Sequence, residues 1–274
     1  MLFGGDSSGQ IYGDTWTWRA GWHPTSPATS PSARSGPAMA YDGAAGNIVL
    51  FGGVNSAGTA LSDTWTWDGN NWTQEFPAAS PPGRQFDLQG MAYDAATQTV
   101  VLFGGFDSGL NALGDTWTWD GKAKTWIQQF PASSPSPRRA PIAYDDVTRT
   151  VVLVGGDKDD GQITYNDTWT WDGITWTQQF PASAPSARSS ASIAFDAHIG
   201  AVILFGGYGP WPDVLTDTWA WNGTTWMKIS PATVPPDRYS AGMDYDPVNK
   251  AVLMFGGYSS TVVRSDTWLL ALAP

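Results

Sequence analysis

The chain has 274 residues, a formal net charge of -11, 42% hydrophobic residues and no cysteine. Lack of cysteine excludes disulfides, iron–sulfur clusters, thiolate zinc sites and cysteine nucleophiles together. The acidic balance argues against a nucleic-acid partner, whose phosphates want a basic stripe. No run approaches the roughly 20 apolar residues of a membrane helix. No charged, apolar, small-residue leader opens the sequence, so a signal peptide is not expected within it.

Self-similarity dominates the chain. Phe-Gly-Gly begins at Phe3, Phe51, Phe103, Phe205 and Phe255, with Val154-Gly-Gly standing in once, so copies lie 48, 52, 51, 51 and 50 residues apart. Asp-Thr-Trp keeps step at Asp14, Asp63, Asp115, Asp167, Asp217 and Asp266. A Pro-x-x-x-Pro-x-x-Arg pattern places Arg34, Arg84, Arg138, Arg188 and Arg238 at the head of successive units. A period near 50 means one repeat array rather than two unrelated domains. The units run over 1–33, 34–83, 84–137, 138–187, 188–237 and 238–274 of a single domain.

Within a unit, turn chemistry and alternation define four short strands. In the fourth unit the first is Ala140–Tyr144, closed by the polar turn Asp145–Arg149. The second is the β-branched run Thr150–Val154, stopped by Gly155-Gly156. The third is Thr168–Trp171, with Trp169 and Trp171 on one face. Asp172-Gly173 marks a hairpin, and Thr175–Gln179 returns as the fourth strand. No window has a helical period. Four antiparallel strands cannot cover their own faces, whereas six such sheets closed radially can, with large aromatics filling the space between them. The expected fold is all-β: a six-bladed β-propeller with the first strand of each blade lining the channel. Trp65, Trp67, Trp117, Trp119, Trp169, Trp171, Trp219 and Trp221 are the expected filling between blades.

The chain opens at a second strand, Leu2–Gly5, and stops after a third, Asp266–Ala271. These leftovers do not sum to one four-stranded blade. Either the first and last blades are three-stranded, or the sequence belongs to a longer chain.

An apolar run ending in Gly-Gly, then an aromatic, then a Trp a few residues on, is similar to the kelch repeat. The residues that carry the likeness are Val101–Gly105, Trp119 and Trp126, and again Ile48–Gly53, Trp67 and Trp72. Trp stands where that family usually has Tyr. The resemblance covers the whole chain and looks like the bacterial or archaeal type. It implies a kelch-type propeller but little chemistry, because such domains serve as adaptors, lectin-like modules and occasionally enzymes.

Candidate chemistry is sparse. The histidines, His23 and His198, have no metal-ligating or triad partners at useful spacing. The kelch-type galactose oxidases use a Tyr–Cys cofactor that this chain cannot make, and no cofactor is expected. Residues repeated in every blade are explained by blade construction. Strand parity puts the repeating arginines on the face that also carries the Asp-Thr-Trp aspartates. They read either as Arg–Asp or Arg–carbonyl clamps, or as a guanidinium ring gripping an acidic ligand. Some eukaryotic kelch adaptors use arginines at this motif position in that way. Arg139 is an extra in one blade.

Departures from the repeat are the better ligand-binding leads. In chain order they are Phe86, with Asp87 in a stretch longer than its sisters, then Asp107, Arg139, Tyr208, Trp211, Tyr239 and Tyr258. Asp157, Asp159 and Asp160 form a weak cation candidate, lacking the ligand spacing of a calcium loop at Gly161. All of these fall on the arginine-bearing face, where a concave channel mouth is expected. The function expected is a non-enzymatic binding module for a protein, peptide or glycan. The alternative is a carbohydrate-active enzyme similar to the kelch-type sialic acid mutarotases. An acidic, cysteine-free, Ser/Thr/Gly-rich surface points to an extracellular or cell-envelope setting.

Overall fold

The computed structural model describes residues 1–86, 89–158, 163–209, 213–231 and 233–272. Their strands form six antiparallel blade sheets, plus a two-stranded hairpin in blade four. Four blades have four strands each. Blade four, for example, runs outward from Ile142–Asp145 through Thr150–Val154 and Thr168–Trp171 to Trp176–Gln179. Blade one comprises Leu2–Ser7, Gln10–Trp18 and Trp22–Thr25, and blade six comprises Gly242–Asp246, Ala251–Phe255 and Thr267–Leu270. Both end blades are therefore three-stranded and remain separate sheets. Among the described residues, blade one has no inner strand and blade six no outer one.

Backbone geometry explains the Gly-Gly marker. Gly104 and Gly105 have φ of +64° and +98°, the region open to glycine. The Gly105 amide donates to the Arg138 carbonyl at 3.0 Å. A Cβ on Gly104 would stand 2.1 Å from that same carbonyl oxygen. In blades one to five the marker thus hooks the exit of the second strand onto the entry segment of the next blade.

The core lies between blades. Val49 and Phe51 of blade two pack with Val100, Leu102 and Trp119 of blade three, and blades three to six repeat the arrangement. Trp67, Trp119, Trp171 and Trp221 are buried as expected. Their partners two residues earlier divide: Trp117 is buried, but Trp65, Trp169 and Trp219 are only half-buried. All four indoles, Trp117 included, donate to the aspartate of their own Asp-Thr-Trp at 2.7 Å, which ties each ring to the blade's end.

A third tryptophan set completes the junctions and was not among the expected core. Trp72, Trp126, Trp176 and Trp226, each the first or second residue of an outer strand, are buried. Each indole donates at 2.9 Å to a threonine of the preceding blade: Thr15, Thr64, Thr116 and Thr168 respectively. The first three rings also meet Phe3, Phe51 and Phe103 edge-on, with centroids 5.1–5.3 Å apart. Trp22 makes the same hydrogen bond to Thr267, at 2.9 Å, and the same edge contact with Phe255. Blade one is thereby closed onto blade six, and the ring is complete.

Candidate functional site

The arginine-bearing face is built from five identical clamps. Arg34 donates to both carboxylate oxygens of Asp63, at 2.6 and 2.8 Å, to the Gly52 carbonyl at 3.0 Å and to the Ser32 carbonyl at 3.0 Å. Arg84–Asp115, Arg138–Asp167, Arg188–Asp217 and Arg238–Asp266 repeat it. The five arginines are at most 1% exposed. The expected guanidinium ring at a ligand mouth is therefore corrected to the clamp alternative. Every donor is turned inward, because a buried guanidinium demands several acceptors at once.

Burial alone would raise the carboxyls of Asp63, Asp115 and Asp217. Hydrogen bonds and charge from their arginines, helped by Trp65, Trp117 and Trp219, outweigh it and hold all three below the usual range. Asp266 is held lower still, at about 2, chiefly by its hydrogen bonds with Arg238.

The unrepeated residues on this face have varied fates. Phe86 is 3% exposed and fills the space beside Gly105, so it is core rather than a ligand platform. Asp107 caps its own loop, accepting from the amides of Gly109 and Asn111 at 2.8 and 2.9 Å. Arg139 pairs with Asp157 at 3.0 Å and lies over the Phe106 ring. Asp157 is fully buried in that pair, which corrects its candidacy as a cation ligand. Asp159, Asp160 and Trp211 lie outside the described residues, as does Asp87. Tyr208, Tyr239 and Tyr258 come together: Tyr239 stacks on Tyr258 at 5.7 Å, and Tyr208 meets Tyr239 edge-on at 5.5 Å. The Tyr258 hydroxyl reaches the Asp6 carbonyl at 2.8 Å, so this run of rings crosses from blade five through blade six to blade one.

Among the described residues, the channel mouth expected on this face is reduced to a shallow depression beside Phe86, Gln89 and Arg139, and one residue explains why. Ten positions separate Arg84 from Asp94, against eight from Arg34 to Asp42 and from Arg188 to Asp196. The longer segment carries Gln89 across the axis. Its Nε2 donates to the carbonyls of Ile193 and Met243 at 2.6 and 2.8 Å, and its Oε1 accepts from the Ile193 amide at 2.6 Å. Blades three and six stand opposite each other, so this side chain bars the channel near the start of the inner strands.

Beyond the bar lies a lumen of about 350 Å³, lined by Met39, Met91, Ile142, Ile193 and Met243 from five inner strands. On the side of blade one the wall also takes in Leu2, Phe3, Ile48, Leu253 and Phe255. Its far mouth is ringed by Tyr41, Tyr93, Tyr144 and Phe195, each one residue before the aspartate that ends its strand. Those aspartates are not a ligand surface. Asp42, Asp94, Asp145 and Asp196 are buried and accept amides of their own turns, such as Ala44 by Asp42 at 2.9 Å. Asp244 is the one carboxylate in the lumen wall among the described residues. Its surface opens on the lumen while apolar walls surround it, and this desolvation raises its carboxyl above the usual range. Alternation within the inner strands signalled the aromatic ring in the sequence. The longer Arg84–Asp94 segment signalled that the entry to blade three differs, but not that Gln89 crosses the axis.

The Kelch-repeats domain model of KLHDC2, KLHL20 and DRC7 matches residues 1–179. The F-box/kelch-repeat protein At1g51550 of Arabidopsis thaliana is 30% identical over 182 residues, which is 57% of this chain and 36% of that protein. The chain thus spans about a third of the length of that relative. Among the described residues no helix is long and apolar enough to cross a membrane.

Proposed function

Because the chain belongs to the kelch-repeat β-propeller family, we propose that it is a protein-interaction module whose channel receives an apolar segment of its partner. Kelch propellers typically serve protein interaction. The observation that carries the finer reading is the lumen itself: an apolar, one-ended cavity of about 350 Å³ with an aromatic mouth. Concave apolar sites with few polar groups are where binding energy concentrates, and tyrosines at the rim are typical anchors. A polypeptide suits it better than a glycan, whose hydroxyls need several directed partners, because the inner-strand wall is mainly aliphatic and its polar groups, Asp244, Gln89, the amino terminus and the rim tyrosines, are few.

A second reading keeps the partner on the arginine-bearing face. It is favoured by the contact of Tyr208, Tyr239 and Tyr258, none of which recurs in every blade.

One selection separates the two. A random dodecapeptide library is panned on the protein, and the recovered peptides are titrated against Gly242→Leu and Tyr239→Ala. Gly242 lines the lumen and a Cβ there meets only the Phe255 carbonyl, at 4.0 Å, so the backbone accepts a side chain directed at the cavity wall. Loss of binding with Gly242→Leu alone supports the lumen. Loss with Tyr239→Ala alone transfers the site to the other face.

A further inference from the structure

Blades two to five each place an aromatic residue one position before the aspartate that ends the inner strand: Tyr41-Asp42, Tyr93-Asp94, Tyr144-Asp145 and Phe195-Asp196. Tyr41 is exposed at the channel mouth. Tyr93, Tyr144 and Phe195 are half-buried, each resting on the core that its blade shares with the preceding one. The four aspartates behind these rings are at most 1% exposed, and among the described residues none of them forms an ion pair. The outer carboxylate oxygens of Asp42 and Asp94 also have no hydrogen-bond partner among the described residues. Carboxylates buried without a cation project their charge through a wall of low dielectric. Tyr93 registers it: burial first, then the charges of Asp42 and Asp94, push its phenol above the ordinary value. Tyr144 is raised too, by burial and Asp94, but Arg149 beside it pulls the other way.

The negative side of the mouth is therefore the one shared by Tyr41 and Tyr93, on neighbouring inner strands. Gly43 shapes it. A Cβ on Gly43 would stand 2.9 Å from Tyr93 Cε1, so the ring lies directly on the blade-two turn. Aromatic faces attract cations, most often guanidinium groups. A guanidinium is also more weakly hydrated than an ammonium and loses less on entering a half-buried site.

We propose that the segment received by the channel carries an arginine, whose guanidinium stacks on Tyr93 and Tyr41 at the mouth while an adjoining apolar side chain enters the lumen. This rests on the channel reading above and adds to it the charge of the ligand and the rings that read it.

The probes are the tetrapeptide acetyl-Leu-Leu-Arg-Gly-amide and its versions with citrulline, lysine or glutamate in place of arginine. Each is titrated into the nitrogen-15-labelled intact chain and followed by chemical shifts. Arginine should bind about fivefold more tightly than citrulline, its neutral isostere, with lysine between them and glutamate weakest. Raising the ionic strength from about 0.05 to about 0.5 M should narrow that ratio, because screening acts on the charged peptide alone. Tyr93→Phe should keep the arginine preference, since the ring face remains, and Tyr93→Leu should remove it. Equal affinity for arginine and citrulline, with binding lost in Gly242→Leu, overturns the arginine and leaves the channel reading standing. An arginine preference lost in Tyr93→Leu but indifferent to Gly242→Leu supports the rings as the cation site and overturns the lumen. A preference that survives Tyr93→Leu, a glutamate peptide that binds as tightly, or no binding at millimolar peptide overturns the proposal.

Discussion

The indole of Trp22 donates to the hydroxyl of Thr267 at 2.9 Å, although 245 positions separate the two residues. The contact reproduces four others made between consecutive blades, so the junction that joins the two ends of the array is chemically an ordinary one. Trp18 adds a second bond across it, to Asp246 at 3.1 Å. Trp22→Ala should cost about 3–5 kcal/mol through cavity and lost transfer energy. Hydrogen exchange should then accelerate in blades one and six before the others. Uniform acceleration around the ring would show that closure does not depend on this contact.

Breaking a clamp should be severe. Arg188→Met leaves Asp217 with its indole partner but without its two guanidinium bonds, and strands the Gly206 carbonyl. Removing one member of a buried pair costs about 3–5 kcal/mol. Adding Asp217→Leu should recover part of that loss, because no carboxylate is then left unmatched. Urea unfolding of the single and double variants measures both effects.

Acid should loosen the same face. The carboxyls of Asp63, Asp115, Asp217 and Asp266 lie below the ordinary aspartate value in the folded chain, Asp266 at about 2. A depressed folded pKa stabilises the fold at all pH above the unfolded value, and that contribution disappears as pH falls through the folded one. The urea midpoint should therefore hold steady down to about pH 4 and fall between pH 4 and 2. Arg188→Met, lacking one clamp, should fall less steeply. An unchanged midpoint across that window would mean the pairs do not hold in solution.

Gln89 offers a local test. Gln89→Leu removes the acceptor of the Ile193 amide and the donor to two carbonyls. The cost should be about 1–3 kcal/mol for buried groups left unpaired. The Ile193 amide should exchange faster than its strand neighbours, read by heteronuclear NMR. Unaltered exchange at Ile193 would remove the bar from the channel.

What was legible in the sequence was whatever recurs. In blade four the second and third strands, Thr150–Val154 and Thr168–Trp171, have the bounds expected, while the inner and outer ones shift by one or two residues at their ends. The outer-strand tryptophans escaped the expected core because Trp176 is followed by Thr-Gln-Gln, a polar run that reads as surface. Only the neighbouring blade, with Thr116 facing it, makes that position interior.

The sequence by itself determined the number of blades and the sharp Gly-Gly exit of each second strand, because both depend on features repeated at a fixed period. The tertiary structure alone decided that the arginines face inward, since a guanidinium's direction follows from which acceptors surround it. It also decided which end of the channel is open. Gln89 occurs once and bonds residues 104 and 154 positions away. A contact across the axis exists only after the ring has closed, and no local spacing can express it.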